Sequence, residues 1–354
     1  MLKSYTIKNY KSFADKSEFL MSASEEYDFL EENIHNGILK GVLFVGANAS
    51  GKSNAISALI TLLKMLFVDD YTMDHNINFY NPNDIFMSFV FEIEAKNTIY
   101  EVKYEILHKY KDKINQESLY VDNSIIFEKE SDYIYLNKYY NNKKFGTSAV
   151  LISFFDFLEN SIMLDLFNRN QGKSYKGRYN PDVVYNDEIL LKVNEFLKNH
   201  SFDFVIEKNS GDCEVSDLFI KRYKSNVRIP YHVESLGTRK LIYMIPIILK
   251  FSNETSGMLL LDEFGAGLHN ELEELIIRYF MKNKNKSQIF ATSHSTNLLK
   301  NSLFRPDQIY AIDINDEHSS SYERFSDQEP RSGQNLERMY LGGVFGGLPN
   351  YTRE

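Results

Sequence analysis

The chain has 354 residues, 43% hydrophobic and 14% aromatic, enough for a sizeable packed core and too much for wholesale disorder. At roughly 150 residues per domain, that length predicts two domains or one large α/β domain with an insertion. Forty basic against forty-nine acidic side chains leave a net charge of −9, which argues against coating nucleic acid by net charge alone. The one cysteine, Cys213, excludes an internal disulfide or a cysteine-rich metal framework.

In chain order, residues 4–9 and 17–21 read as two short strands of a hairpin, followed by a polar, acidic stretch at 22–36. Residues 41–45 are a buried strand that runs straight into GANASGKS. Beyond it Ile56, Leu59, Ile60, Leu63 and Phe67 recur at spacings of three and four, which predicts a helix. From about residue 68 the texture changes. Residues 86–108 alternate like antiparallel strands with a turn at 95–97, and further strand-like pieces lie at 118–121, 124–127 and 133–136. Residues 149–200 are mainly helical around a polar loop at 169–181. A hairpin at 218–232, a helix from Ser235, a strand at 258–261, a helix at 269–282, a strand at 288–291 and a polar tail follow. No apolar run reaches the ~18 residues of a membrane span, and the N-terminus has no signal-like apolar region, so a soluble, cytoplasmic protein without membrane contact is expected.

Gly46-Ala47-Asn48-Ala49-Ser50-Gly51-Lys52-Ser53 fits the phosphate-loop pattern without mismatch. Glycines let the backbone curl so that successive N–H groups face phosphate oxygens. Lys52 then reaches the β- and γ-phosphates, Ser53 offers a hydroxyl to Mg²⁺, and the following helix presents its positive end to the anion. Met258-Leu259-Leu260-Leu261-Asp262-Glu263 is an apolar strand ending in two carboxylates, placed where parallel strands line a ligand crevice. Asp262 there suits Mg²⁺ and Glu263 suits an attacking water. Residues 288–294 repeat the design with a strand ending in Thr-Ser-His, where His294 suits a γ-phosphate or water. Glu234-Ser235-Leu236-Gly237 opens an apolar helix with Ser235 in a capping position.

These four pieces occur in the order of an ABC-type ATPase. With N-terminal IKNYKSF, then GANASGKSN, LLLDEFGAGLH and IFATSHS, the chain resembles the soluble branch that contains SMC, RecF and OLD-type proteins. The short ESLGTRKL and the terminal YLGGVFGGLP are similar to stand-alone ATPase subunits of bacterial anti-phage systems of the AbiL, Septu and PARIS types. The resemblance implies an α/β fold: an ABC-type P-loop ATPase head, a mixed sheet with flanking helices, split by an inserted region of strands and helices. Segments 1–68 and 226–354 would form the head, and 69–225 a lid or partner platform.

The same resemblance implies ATP and Mg²⁺ as cofactors and a homodimer or higher oligomer that sandwiches ATP. Gly46, Asn48, Ala49, Ser50, Gly51, Lys52, Ser53 and Asn54 of one head and Ser235 and Gly237 of the other would bind the nucleotide. Ser53 and Asp262 would hold the metal, and Glu263, His294 and Lys52 would carry the hydrolysis, with Gly267-Leu268-His269 near the seam. Departures are Leu236 and Thr238 within the signature and the lack of a recognisable glutamine loop. The tail beyond His294 lacks the Asp-x-Asp pair of a fused nuclease, so no nuclease domain is expected. The implied function is an ATP-hydrolysing sensor or scaffold controlling a separate effector, a nuclease or toxin, in anti-phage defence. A RecF-like repair clamp with DNA-stimulated ATPase is the alternative. For nucleic-acid contact the local candidate is Arg169, Lys173, Lys176 and Arg178 around Tyr175, a pattern that a solvated loop also fits.

Overall fold

A computed structural model describes residues 1–165, 184–253, 255–282 and 286–348. The chain opens with β1 (Leu2–Lys8) and β2 (Ser17–Leu20), paired as a hairpin with Tyr5 opposite Phe19. Next comes β3 (Gly41–Gly46), buried along its length, which feeds the loop opening α1 (Lys52–Phe67). Four strands then run as an antiparallel meander: β4 (Ile85–Ala95), β5 (Thr98–Lys109), β6 (Ile114–Val121) and β7 (Ser124–Ser131). Their alternation is the cause. In β4 Ile85, Met87, Phe89, Phe91 and Ile93 all face the core. The turns Lys96-Asn97 and Asp122-Asn123 hold all four residues at positive φ, the geometry that two-residue hairpins with matching strand twist require.

The expected strand at 133–136 is instead the start of α2 (Tyr135–Asn141). The buried carboxylate of Glu117, from β6, accepts the N–H groups of Tyr135 and Leu136, so a distant residue caps the helix and overrides local β-propensity. There follow α3 (Ala149–Glu159), β8 (Ile162–Asp165) and α4 (Asp187–Asn199). A small antiparallel sheet of β9 (Phe204–Glu207), β10 (Phe219–Arg222) and β11 (Arg228–Pro230) precedes α5 (Leu236–Asn253). The last elements are β12 (Met258–Asp262), α6 (Asn270–Lys282), β13 (Gln288–Thr292), β14 (Ile309–Ile314), β15 (Ser320–Arg324) and α7 (Leu336–Leu341).

Two six-stranded sheets result, in the orders β2-β1-β4-β5-β6-β7 and β8-β12-β13-β3-β14-β15. The second is parallel except for its last pair, β14 with β15. Its strands are apolar on both faces, as a sheet covered on both sides requires. Val42, Phe44, Leu260 and Phe290 join the core shared with α1 and the first sheet, while Leu43, Val45, Leu259, Leu261 and Ile289 pack with α5 and α6. Gln288, fully buried, ties the two sheets: its amide oxygen accepts Leu2 N–H at 2.6 Å, and its nitrogen donates to the Leu2 and Leu39 carbonyls. The stretch 69–225 is woven into both layers, because β4 pairs with β1 and β8 pairs with β12.

Pro246 lies inside α5 and has no N–H for the Ile242 carbonyl one turn earlier. The buried Tyr185 hydroxyl donates to that carbonyl at 2.7 Å and satisfies it from outside the helix. The acidic stretch at 22–36 is pinned in a similar way. Arg305, 1% exposed, pairs with buried Asp307 and donates to the carbonyls of Ser24, Tyr27 and Phe29. Among the described residues no helix is long and apolar enough to cross a membrane.

Candidate nucleotide site

Three parallel strands, β3, β12 and β13, end side by side, and the loops leaving their C-terminal ends converge. At Gly46, φ is +151° and a Cβ would run into the Ile312 carbonyl; at Gly51, φ is +105° and a Cβ would collide with the Ser320 hydroxyl. Glycine is therefore required at both ends of the turn. No side chain caps the N-terminus of α1 and no acid lies in its first turn, so its positive end stays open to an anion.

Lys52 is buried, and its Nζ donates to the Gly46 carbonyl at 3.0 Å and the Ala47 carbonyl at 2.7 Å. Burial lowers its pKa to about 8, against the opposing pull of Asp262 and Glu263. Ser53 Oγ donates to Asp262 Oδ1 at 2.9 Å, and Thr292 Oγ1 donates to the same oxygen at 2.6 Å. The Thr292 hydroxyl also accepts the Glu263 N–H at 2.8 Å, so one hydroxyl joins the two carboxylate residues. Glu263 sits at φ +52°, a left-handed conformation uncommon for a residue with a side chain and recurrent at functional sites. The His294 ring is exposed; partial burial and the nearby Lys52 hold its pKa below the ordinary value, while a hydrogen bond to the Gly46 backbone and Asp262 oppose that shift.

The fold thus brings Lys52, Ser53, Asp262, Glu263 and His294 together. Asn48, Ala49 and Ser53 are exposed on the loop, and Ser50 is buried with its hydroxyl unpartnered among the described residues. Asn54 Nδ2 donates to Ser12 Oγ at 2.8 Å. Ser235 and Gly237 stand elsewhere. Ser235 is exposed at the start of α5, with its Oγ accepting the Thr238 N–H at 3.2 Å. A Cβ on Gly237 would press to 2.8 Å from the Gly267 carbonyl, so the α5 start packs against the turn after Glu263. Val233 and Leu236 beside it are 63% and 51% exposed. Among the described residues no hydrogen bond links Ser235 or Gly237 to the phosphate loop. Arg169, Lys173, Lys176 and Arg178 lie outside the described residues.

Several residues at the site carried no readable signal. Thr292 faces Asp262 only because the β12–β13 register sets Leu261 opposite Ala291. Lys11 reaches Ser57 on α1, and its pKa is lowered to about 8 by burial and Lys64, with Asp262 opposing. Ser320 Oγ donates to the Ser50 carbonyl and shares a hydrogen bond with Ser12 Oγ, both at 2.7 Å, and so buttresses the loop from behind. The glycine-rich end of the chain also arrives here. Gly347 N–H donates to Asp313 Oδ2 at 2.9 Å, its carbonyl accepts from Tyr340, and a Cβ on it would lie 3.4 Å from the Gly46 Cα. Phe345 anchors that turn by stacking on Phe325, centroids 3.7 Å apart. Asp313, Asp316 and Glu317 border a polar turn in which Asn315 Oδ1 accepts the N–H groups of Glu317 and Ser319.

Among the described residues no cluster of three or more His, Cys, Asp or Glu could hold a metal by itself. The adjacent Ser53 and Asp262 oxygens nevertheless fit Mg²⁺, a hard cation that takes one or two protein oxygens and completes its shell with water and phosphate.

This arrangement of sheets and helices has the architecture seen in SMC/ABC-type head domains. The fold is similar to the SMC head domain from Thermotoga maritima, with a TM-score of 0.52 at 14% identity over 91% of this chain and 97% of that one. It is also similar to SmcHead in the crystal structure bound to the C-winged helix domain of ScpA, with a TM-score of 0.56 at 13% identity over 91% and 96%. Residues 130–300 match the family model described as "AAA domain, putative AbiEii toxin, Type IV TA system", which indicates an ATPase domain. That span holds Ser235, Asp262, Glu263 and His294 but begins after the phosphate loop. No curated protein matches the chain.

Proposed function

We propose that the chain binds and hydrolyses ATP and acts as a sensor or scaffold whose nucleotide state controls a separate effector, a nuclease or toxin, in anti-phage defence. The observation that carries the ATPase reading is the convergence of Lys52, Ser53, Asp262, Glu263 and His294 at an uncapped helix N-terminus. The defence role is supported by the family description, an associational warrant.

The ATP phosphates lie on the backbone N–H groups of the loop at residues 46–53, and Lys52 turns its ammonium from the Gly46 and Ala47 carbonyls to the phosphate oxygens. Ser53 and Asp262 would hold Mg²⁺, which neutralises charge on the phosphates when bound. Glu263 takes the proton of a water whose oxygen attacks the γ-phosphorus. The bond to the bridging oxygen breaks, and ADP leaves with that electron pair. His294, whose pKa burial and Lys52 lower, donates a ring N–H to the γ-phosphate or to the water.

Ser235 and Gly237 serve a second copy's nucleotide, which accounts for the exposure of Ser235 beside Val233 and Leu236 and for the lack of any hydrogen bond, among the described residues, from either to their own phosphate loop. ATP is then a ligand that only the closed pair binds fully, and hydrolysis releases it. SmcHead is described with a winged-helix domain bound. By analogy we assign partner contact to the parts of 69–225 outside the two large sheets. The RecF-like alternative predicts DNA-stimulated hydrolysis, and the local candidate for nucleic-acid contact, Arg169, Lys173, Lys176 and Arg178, lies outside the described residues.

The test is titration calorimetry with ATP on wild type and Lys52→Ala. Loss of that charge-assisted contact should weaken ATP binding roughly a hundredfold. Full affinity in the variant would remove the basis of this reading.

A further inference from the structure

The mechanism above gives no part to a deeply buried carboxyl that lies between the loops of the site. Glu273, in the first turn of α6, is 2% exposed. Its carboxylate lies directly against Gly265, in the turn that leaves Glu263. Gly265 has φ +94°, and any Cβ there would collide with the carboxylate. On its other side stand the Ser295 and Asn297 side chains, from the loop that leaves His294. Those two side chains and His269 favour the ionised form, but burial outweighs them and pushes the pKa up, with Glu274 adding to the rise. Oε2 of Glu273 and Nδ2 of Asn297 are both buried without a hydrogen-bond partner among the described residues. A surface helix gains nothing from burying a carboxylate there, since an apolar side chain would fill the space without the desolvation cost.

We infer that Glu273 is a positioning residue for hydrolysis, a buried wedge that holds the turn carrying Glu263 and the loop carrying His294 in fixed relation to one another. One side chain touches both loops, one residue beyond His294 and two beyond Glu263. A shift of the wedge moves the two groups that face the γ-phosphate. It leaves Lys52 and the phosphate loop, which are built on β3 and α1, in place. The inference rests on the ATPase reading.

The experiment measures steady-state ATP hydrolysis by wild type, Glu273→Ala, Glu273→Gln and Ser295→Ala, with thermal melts of each. Glu273→Ala should lower kcat by about 10- to 100-fold, the scale set by small misplacements of reacting groups. KM for ATP should stay within about threefold, because ground-state binding is untouched. Glu273→Gln keeps the shape and a hydrogen-bonding head group, so kcat should recover to within about threefold of wild type. If Glu273→Ala does not fold, Ser295→Ala decides. That change removes a neighbour of the carboxyl without a large cavity and should lower kcat at unchanged KM. Folded variants with wild-type kcat, or losses confined to KM, overturn the assignment of Glu273. Absence of turnover in wild type overturns the ATPase reading instead.

Discussion

Lys52 donates to two carbonyls of its own loop, so the ammonium is desolvated and held at the loop before any anion arrives. Burial has a further consequence. With a pKa of about 8, Lys52 is mostly charged at pH 7 and mostly neutral at pH 9. An anion binds the charged form, so ATP affinity should be full below about 8 and fall as pH rises through that value. Calorimetric titrations from pH 6.5 to 9.5 would show the bend, and Lys52→Ala should lack it. A wild-type curve flat to pH 9 would contradict the placement of Lys52 against the phosphates. This residue was legible because its role is local: eight consecutive positions specify the loop. Thr292 was not, because its bond to Asp262 depends on which residues two strands set side by side. Thr292→Val, of nearly equal volume, should cost about 1–3 kcal/mol of local hydrogen bonding and show as reduced turnover at the site.

At the level of elements, α5 and the C-terminal turn make sharp predictions. The Tyr185 hydroxyl fills the vacancy that Pro246 creates at Ile242. Tyr185→Phe should destabilise the chain by about 1–2 kcal/mol in urea melts. The loss should shrink when Pro246→Ala restores an intrahelical N–H, and additive effects would contradict the link. The turn at Gly347, held by Asp313 and Tyr340, lies against Gly46. Asp313→Ala should therefore weaken ATP binding without a matching fall in melting temperature, and unchanged affinity would count against this buttress. The terminal YLGGVFGGLP carried a resemblance in sequence but not its contact, because its partner, Gly46, lies about three hundred residues away. The helix α2 was misread for a related reason, since its cap, Glu117, comes from another sheet strand. Periodicity reveals a face, not the distant group that will meet it. The long alternating strands β4 and β5 were readable because each buries one face over several pleats, and α1 because its large apolar residues recur at helical spacing.

Over the whole molecule, the stretch read as an insertion turns out to supply four strands to one sheet and one to the other. No local pattern announces that β4 will pair with β1 rather than stand in a separate lid, because pairing partners are chosen by the sheet as a whole. Long-range staples maintain the arrangement. Arg305→Ala would leave Asp307 buried and unpaired at the foot of β14, and should cost roughly 3–5 kcal/mol of stability, read by chemical denaturation. A near-neutral change would show that the 22–36 stretch is held otherwise. The same global view separates the two halves of the nucleotide site. Lys52, Ser53, Asp262, Glu263 and His294 converge within one chain, while Ser235 is exposed and Gly237 half-buried at the start of another element. In the proposed closure a second copy supplies Ser235 and Gly237 to the nucleotide of the first, and the account stands on that closure. Light scattering of Glu263→Gln with and without Mg-ATP tests it most directly. The predicted result is a doubling of mass on adding ATP, together with lost turnover. A mass that ATP leaves unchanged, or hydrolysis at the wild-type rate, would contradict it.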